Sequence, residues 1–199
     1  AFNMSATGAL PLNYQWRFNG TNISGATTNS YSISNAQTND AGSYFVVVTN
    51  SVGSITSSVA TLTVNVPPSI SGQPTNLIVV QGQNATFIVS AAGTAPLSYQ
   101  WRFSGTNIAG ATTSSYTRLN AQTNHAGNYL AVITNVAGAV TSGVATLTVQ
   151  VPPTITTQPT NLTVQRCQSA TFTVSATGDM PLRYQWQCQG TNLPGATAS

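Results

Sequence analysis

Apolar and polar residues alternate along this chain with a period of two. In Ala85-Thr86-Phe87-Ile88-Val89-Ser90-Ala91, residues 85, 87, 89 and 91 fall on one face of an extended backbone. In Tyr99-Gln100-Trp101-Arg102-Phe103 the aromatic rings share a face and the polar groups take the other. Val144-Ala145-Thr146-Leu147-Thr148-Val149 places Ala145, Leu147 and Val149 together. Such alternation marks strands buried on one side. Clusters of Gly, Asn, Ser and Thr separate these segments, and no stretch carries an apolar stripe at helical spacing. Short strands with frequent turn signals predict an all-β, antiparallel sandwich or barrel.

The pattern repeats. LPLNYQWRFNGTNISGAT from Leu10 returns as APLSYQWRFSGTNIAGAT from Ala95 and as MPLRYQWQCQGTNLPGAT from Met180. Trp16, Trp101 and Trp186 lie 85 residues apart (101 − 16 and 186 − 101). The same interval carries Tyr44 onto Tyr129 and Pro67-Pro68 onto Pro152-Pro153. That period is too long for one solenoid turn and suits a small complete domain. It divides the chain into residues 1–65, 66–150 and 151–199.

An apolar strand, a Trp twelve residues on, and Asp40-Ala41-Gly42-Ser43-Tyr44 together resemble an immunoglobulin-like domain. The likeness is to the tandem, I-set-like modules of large bacterial surface and secreted proteins. It implies that Trp16, Trp101 and Trp186 are core tryptophans of strand C. It also implies that Tyr44 and Tyr129 form the tyrosine corner before strand F. The family's bridging cysteines would fall at Val89 and Ala131, and at Met4 and Val46, so the inter-sheet disulfide is absent. Removing such a bridge from a small domain costs about 2–5 kcal/mol, so packing must replace it. Arg118 stands where the first repeat has Ile33, at an inward position of strand E, and predicts a register shift or bulge.

By this alignment residue 1 lies in strand B and residue 199 lies just past strand C. Two readings compete: a window of a longer array, or incomplete repeats completed by strands of neighbouring chains. The linkers Val64-Asn65-Val66-Pro67-Pro68 and Val149-Gln150-Val151-Pro152-Pro153 are short, and proline biases them toward extended backbone.

Composition narrows the function. The 199 residues are 41% hydrophobic but only 4% charged, with net charge +3. The five arginines are scattered singly, which argues against a nucleic-acid interface. No apolar run reaches the length of about 20 residues that spans a membrane as a helix. Asp40 and Asp179 are the only acidic side chains and lie in different repeats, so a hydrolytic carboxylate pair is not expected. Asp40 instead suits a turn cap. One histidine, His125, and two cysteines provide no zinc spacing. The expectation is no enzyme activity, no cofactor and no metal. Cys167 and Cys188 are open to three readings: two free, partly buried thiols, an intradomain disulfide, or a crosslink to another chain. Asn3, Asn19, Asn22, Asn84 and Asn161 stand in Asn-x-Ser/Thr contexts, which arise readily by chance in a chain this rich in Ser and Thr.

One surface feature stands out. Strand F directs Tyr44, Val46 and Val48 inward, which leaves Phe45 and Val47 outside, and in the second repeat Leu130 and Val132. Gln15 and Arg17, or Gln100 and Arg102, flank them on strand C. A repeated apolar stripe with polar rims reads as a lateral contact surface. The sequence thus reads as a structural protein of the cell surface or exterior, a fibre, stalk or adhesin shaft whose partners are copies of itself. The alternative is a carbohydrate- or protein-binding or spacer module of a larger secreted enzyme.

Overall fold

The computed structural model describes all 199 residues. It contains strands and two short 3-10 turns, Thr38–Asp40 and Thr123–His125. The chain divides into two compact units. One holds residues 1–68, 93–96 and 135–138; the other holds residues 69–92, 97–134 and 139–199.

In the second unit the strand Ser98–Phe103 pairs antiparallel with Gly127–Asn135, which pairs antiparallel with Ala145–Gln150. Leu77–Val80 then joins Ala145–Gln150 in parallel, the one departure from an all-antiparallel arrangement. Facing this sheet are the ladders Ala85–Ile88 with Ser115–Arg118 and Ser90–Ala92 with Ser69–Gly72. The chain changes partner between Gly72 and Leu77, where the buried Pro74 has no N–H to continue a ladder.

The alternating residues supply the core. Phe87 and Val89 meet Trp101, Tyr129, Ala131, Ile133 and Leu147 in one buried cluster. Trp101 is 0% exposed, and its Nε1–H donates to the Thr113 carbonyl at 3.0 Å. The Phe87 and Tyr129 rings stack with centroids 4.6 Å apart, and Phe103 lies 4.8 Å from Tyr129. Val89 and Ala131, at the two cysteine positions, are both fully buried. Apolar contact therefore occupies the place of a crosslink, and dispersion between close-packed atoms supplies the cohesion.

Arg118 corrects the sequence reading. It sits opposite Ala85 at the end of an uninterrupted ladder, with neither register shift nor bulge. The half-buried side chain places its guanidinium Nη2 beside His125 Nε2. Its Nε remains buried without a partner.

The first unit repeats the scheme. Asn13–Phe18 pairs with Gly42–Thr49, which carries Ser54–Thr56 and Ala60–Leu62 on its far side. Trp16, Ala26, Val46 and Val48 form its core, with Phe2, Met4 and Tyr31 packed against them. The segment 151–199 carries two short ladders, Thr154–Thr157 with Ser175–Thr177 and Gln187–Cys188 with Thr191–Asn192. Trp186 is half-buried there. Its Nε1–H donates to the Ala198 carbonyl at 2.8 Å, and Phe172 lies 6.3 Å away.

Candidate interaction face

Register decides what the outer face of each main sheet presents. Along Gly42–Thr49, Tyr44, Val46 and Val48 are buried, while Phe45 and Val47 turn outward and are half-buried. Along Gly127–Asn135, Leu130 and Val132 do the same. Cross-strand pairing places Arg17 beside Phe45 and Gln15 beside Val47. It also places Arg102 beside Leu130 and Gln100 beside Val132. In the second repeat the polar neighbours are held in place. Gln100 Nε2 donates to the carbonyls of Trp101 and Ile108, both at 2.8 Å, and Arg102 Nε donates to Asn107 Oδ1 at 2.7 Å. Their aliphatic stems shelter part of the apolar pair, which is why the stripe is less exposed than strict alternation implies.

The opposite flank adds one more outward residue to each stripe. Tyr44 pairs with Ala60, yet Val46 is bonded to Ser57. Ser58 and Val59 therefore stand together opposite Phe45, a β-bulge. The Ser57 hydroxyl accepts the Val46 N–H at 3.1 Å, which a regular ladder would direct to a carbonyl. The second repeat matches: Tyr129 pairs with Ala145, and Ser142 Oγ accepts the Ala131 N–H at 2.9 Å. Gly143 and Val144 form that bulge. Val59 and Val144 are 59% and 54% exposed, and each extends the stripe. The signal in the sequence was Ser-x-Val at 57–59 and 142–144, a hydroxyl two residues before an apolar side chain.

The corner between the sheets explains Asp40 and His125. The Tyr44 hydroxyl donates to the Asp40 carbonyl at 2.7 Å, and the Tyr129 hydroxyl to the His125 carbonyl at 2.8 Å. Burial raises both tyrosines above their ordinary pKa; the Asp40 carboxylate adds to the rise at Tyr44. The Asp40 and His125 side chains perform one local task. Asp40 Oδ2 accepts the Gln37 N–H at 2.7 Å, and His125 Nδ1 accepts the Gln122 N–H at 2.9 Å. Burial, reinforced by the Arg118 guanidinium, lowers the His125 pKa.

Cys167 and Cys188 are both free, and both are exposed where partial burial was expected. Cys167 occupies a left-handed backbone conformation, φ 70°, where the second repeat has Gly82 at φ 91°. No group of three or more His, Cys, Asp or Glu side chains comes together in a geometry that could hold a metal ion.

Two protein-family profiles, each described as immunoglobulin domain, match residues 4–64 and 67–135. Among curated proteins the chain is similar to human Hemicentin-1, with 32% identity over 166 residues. That match covers 79% of this chain but 3% of the relative. Cell adhesion molecule Dscam1 of Drosophila melanogaster is 28% identical, with 94% of this chain and 10% of that protein covered. The chain thus spans a small fraction of the relatives it matches. Among solved structures, an I-band fragment of titin superposes with TM-score 0.73 at 18% identity, covering 96% of this chain and 73% of that one. This likeness shows the fold. The buried tryptophan, the tyrosine corner, the two-layer core and both profile matches agree: the chain carries immunoglobulin domains in tandem.

Proposed function

We propose that this chain is a non-enzymatic structural segment, a run of immunoglobulin domains in an extracellular fibre, stalk or adhesin shaft that associates laterally with copies of itself. The observation that carries the reading is the stripe formed twice over: Phe45, Val47 and Val59 in one repeat, Leu130, Val132 and Val144 in the next. Both copies place two half-buried apolar side chains beside a bulge-exposed valine, rimmed by an arginine and a glutamine. Burial of such side chains on association contributes roughly 25 cal/mol per Å² of apolar area. The relatives support the reading, since Dscam1 is itself named a cell adhesion molecule. No helix is long and apolar enough to cross a membrane. Sedimentation velocity of the wild type against Leu130→Thr/Val132→Thr tests the proposal. Loss of association in the variant is expected, and equal association of the two proteins would refute it.

A further inference from the structure

Both Pro-Pro linkers are gripped at one and the same repeat position. The Val66 N–H donates to Thr94 Oγ1 at 2.7 Å, and the Thr94 N–H donates back to the Val66 carbonyl at 3.0 Å. At the second linker, the Val151 N–H donates to Asp179 Oδ2 at 2.9 Å, and the Asp179 N–H returns to the Val151 carbonyl at 3.0 Å. Val66 and Thr94 lie within one compact unit, Val151 and Asp179 within the other.

A glycine precedes each grip. A Cβ on Gly93, φ +150°, would stand 3.0 Å from both Pro67 O and Pro68 Cα; on Gly178, φ +146°, it would stand 2.9 Å from Pro152 O. The prolines approach so closely that only a residue without a side chain fits. Asn135 reinforces the first grip, its Nδ2 donating to the Val66 carbonyl at 2.8 Å and the Thr94 carbonyl at 2.9 Å. In the first repeat the corresponding residue is Ala9, which has no side-chain oxygen, although Asn50 Nδ2 still donates to its carbonyl at 3.0 Å.

We propose that this position is a linker clasp. One side-chain oxygen makes the residue before each Pro-Pro pair an ordered part of the following repeat's loop, and its chemistry sets the strength of the hold. Thr94 offers a neutral acceptor. Asp179 offers a carboxylate, and a charge-assisted bond is roughly twice as strong.

Amide hydrogen exchange on the intact chain, read by NMR at Val66 and Val151, tests this. Thr94→Val keeps the shape and removes the acceptor, so Val66 protection should fall roughly fivefold to tenfold, while Thr94→Ser retains it. Thr94→Asp should raise Val66 protection above wild type. At the second linker, Asp179→Ala should lose protection at Val151, and Asp179→Asn should fall between the two. Unchanged protection at Ile133 shows that the repeat remains folded. Should Thr94→Val disrupt folding, Asp179→Ala carries the same test independently. Undiminished Val66 protection in folded Thr94→Val, or undiminished Val151 protection in Asp179→Ala, overturns the proposal.

Discussion

The Tyr129 hydroxyl and the His125 carbonyl are joined at 2.8 Å across the turn that leads into the central strand. The bond ties the Thr123–His125 turn to a ring that is itself stacked on Phe87. Tyr129→Phe keeps the stacking and leaves the carbonyl without its donor. We expect a loss of about 1–2 kcal/mol, seen as a lower denaturation midpoint with an unchanged slope in urea. Tyr44→Phe should behave alike in the first repeat, through Asp40.

Trp101 anchors the middle repeat. It is fully buried, it bonds Thr113 through Nε1, and no disulfide backs it up. Trp101→Ala should cost about 3–5 kcal/mol, a large share of the 5–15 kcal/mol that stabilises a typical domain. Loss of the cooperative transition, followed by circular dichroism on heating, is the expected result. An unchanged melting temperature would contradict the burial of the ring.

His125 is expected to make the middle repeat lose stability in acid. Its folded pKa lies below its ordinary value, first through burial and then through Arg118. The fold therefore binds the proton less readily than the unfolded chain does. Stability is fully present above the unfolded pKa of about 6.5 and is lost as pH falls through the lower folded value. Protonation would also occupy Nδ1, which accepts the Gln122 N–H. Melting temperature measured from pH 7.5 to 5 should decline in the wild type. The decline should be shallower in His125→Asn, which carries no titrating group at that position.

The outer stripe separates association from stability. Val144 is 54% exposed, so Val144→Thr should shift stability by less than about 0.5 kcal/mol. Leu130→Thr/Val132→Thr should cost more, about 1 kcal/mol, because both residues are half-buried beside Arg102 and Gln100. Both variants should associate more weakly than wild type, and salt should change little, since few charges are present to screen. Sedimentation at low and high salt makes the comparison.

Cys167 holds a left-handed backbone that side chains adopt at a cost of roughly 1–2 kcal/mol. Cys167→Gly should relieve part of that cost. In the wild type both thiols are exposed. Each should react with a thiol-specific reagent under native conditions at close to the rate of an unfolded control.

The alternation in Ala85–Ala91, Tyr99–Phe103 and Val144–Val149 was enough to assign strands and their inward faces. A period of two leaves one choice of face once one side is buried. The 85-residue interval pointed to three repeats, and the spacing of Trp101 and Tyr129 pointed to the sandwich. Local pattern could not determine which strands pair. The parallel joining of Leu77–Val80 to Ala145–Gln150 depends on residues some 70 positions apart, as does the grip of Thr94 on Val66 across 28. Arg118 is the instructive failure. Read locally, a charge at an inward position calls for a bulge, but the ladder from Ala85 to Ile88 runs straight past Arg118. Bulges lie at Ser58-Val59 and Gly143-Val144, where a serine hydroxyl replaces a backbone acceptor, and the register also shifts at Ser90–Ala91 and between Ile155 and Thr157. Side-chain alternation is a property of each strand and is written in its own residues. Register, bulges and clasps are set by hydrogen-bond partners that only folding brings within about 3 Å.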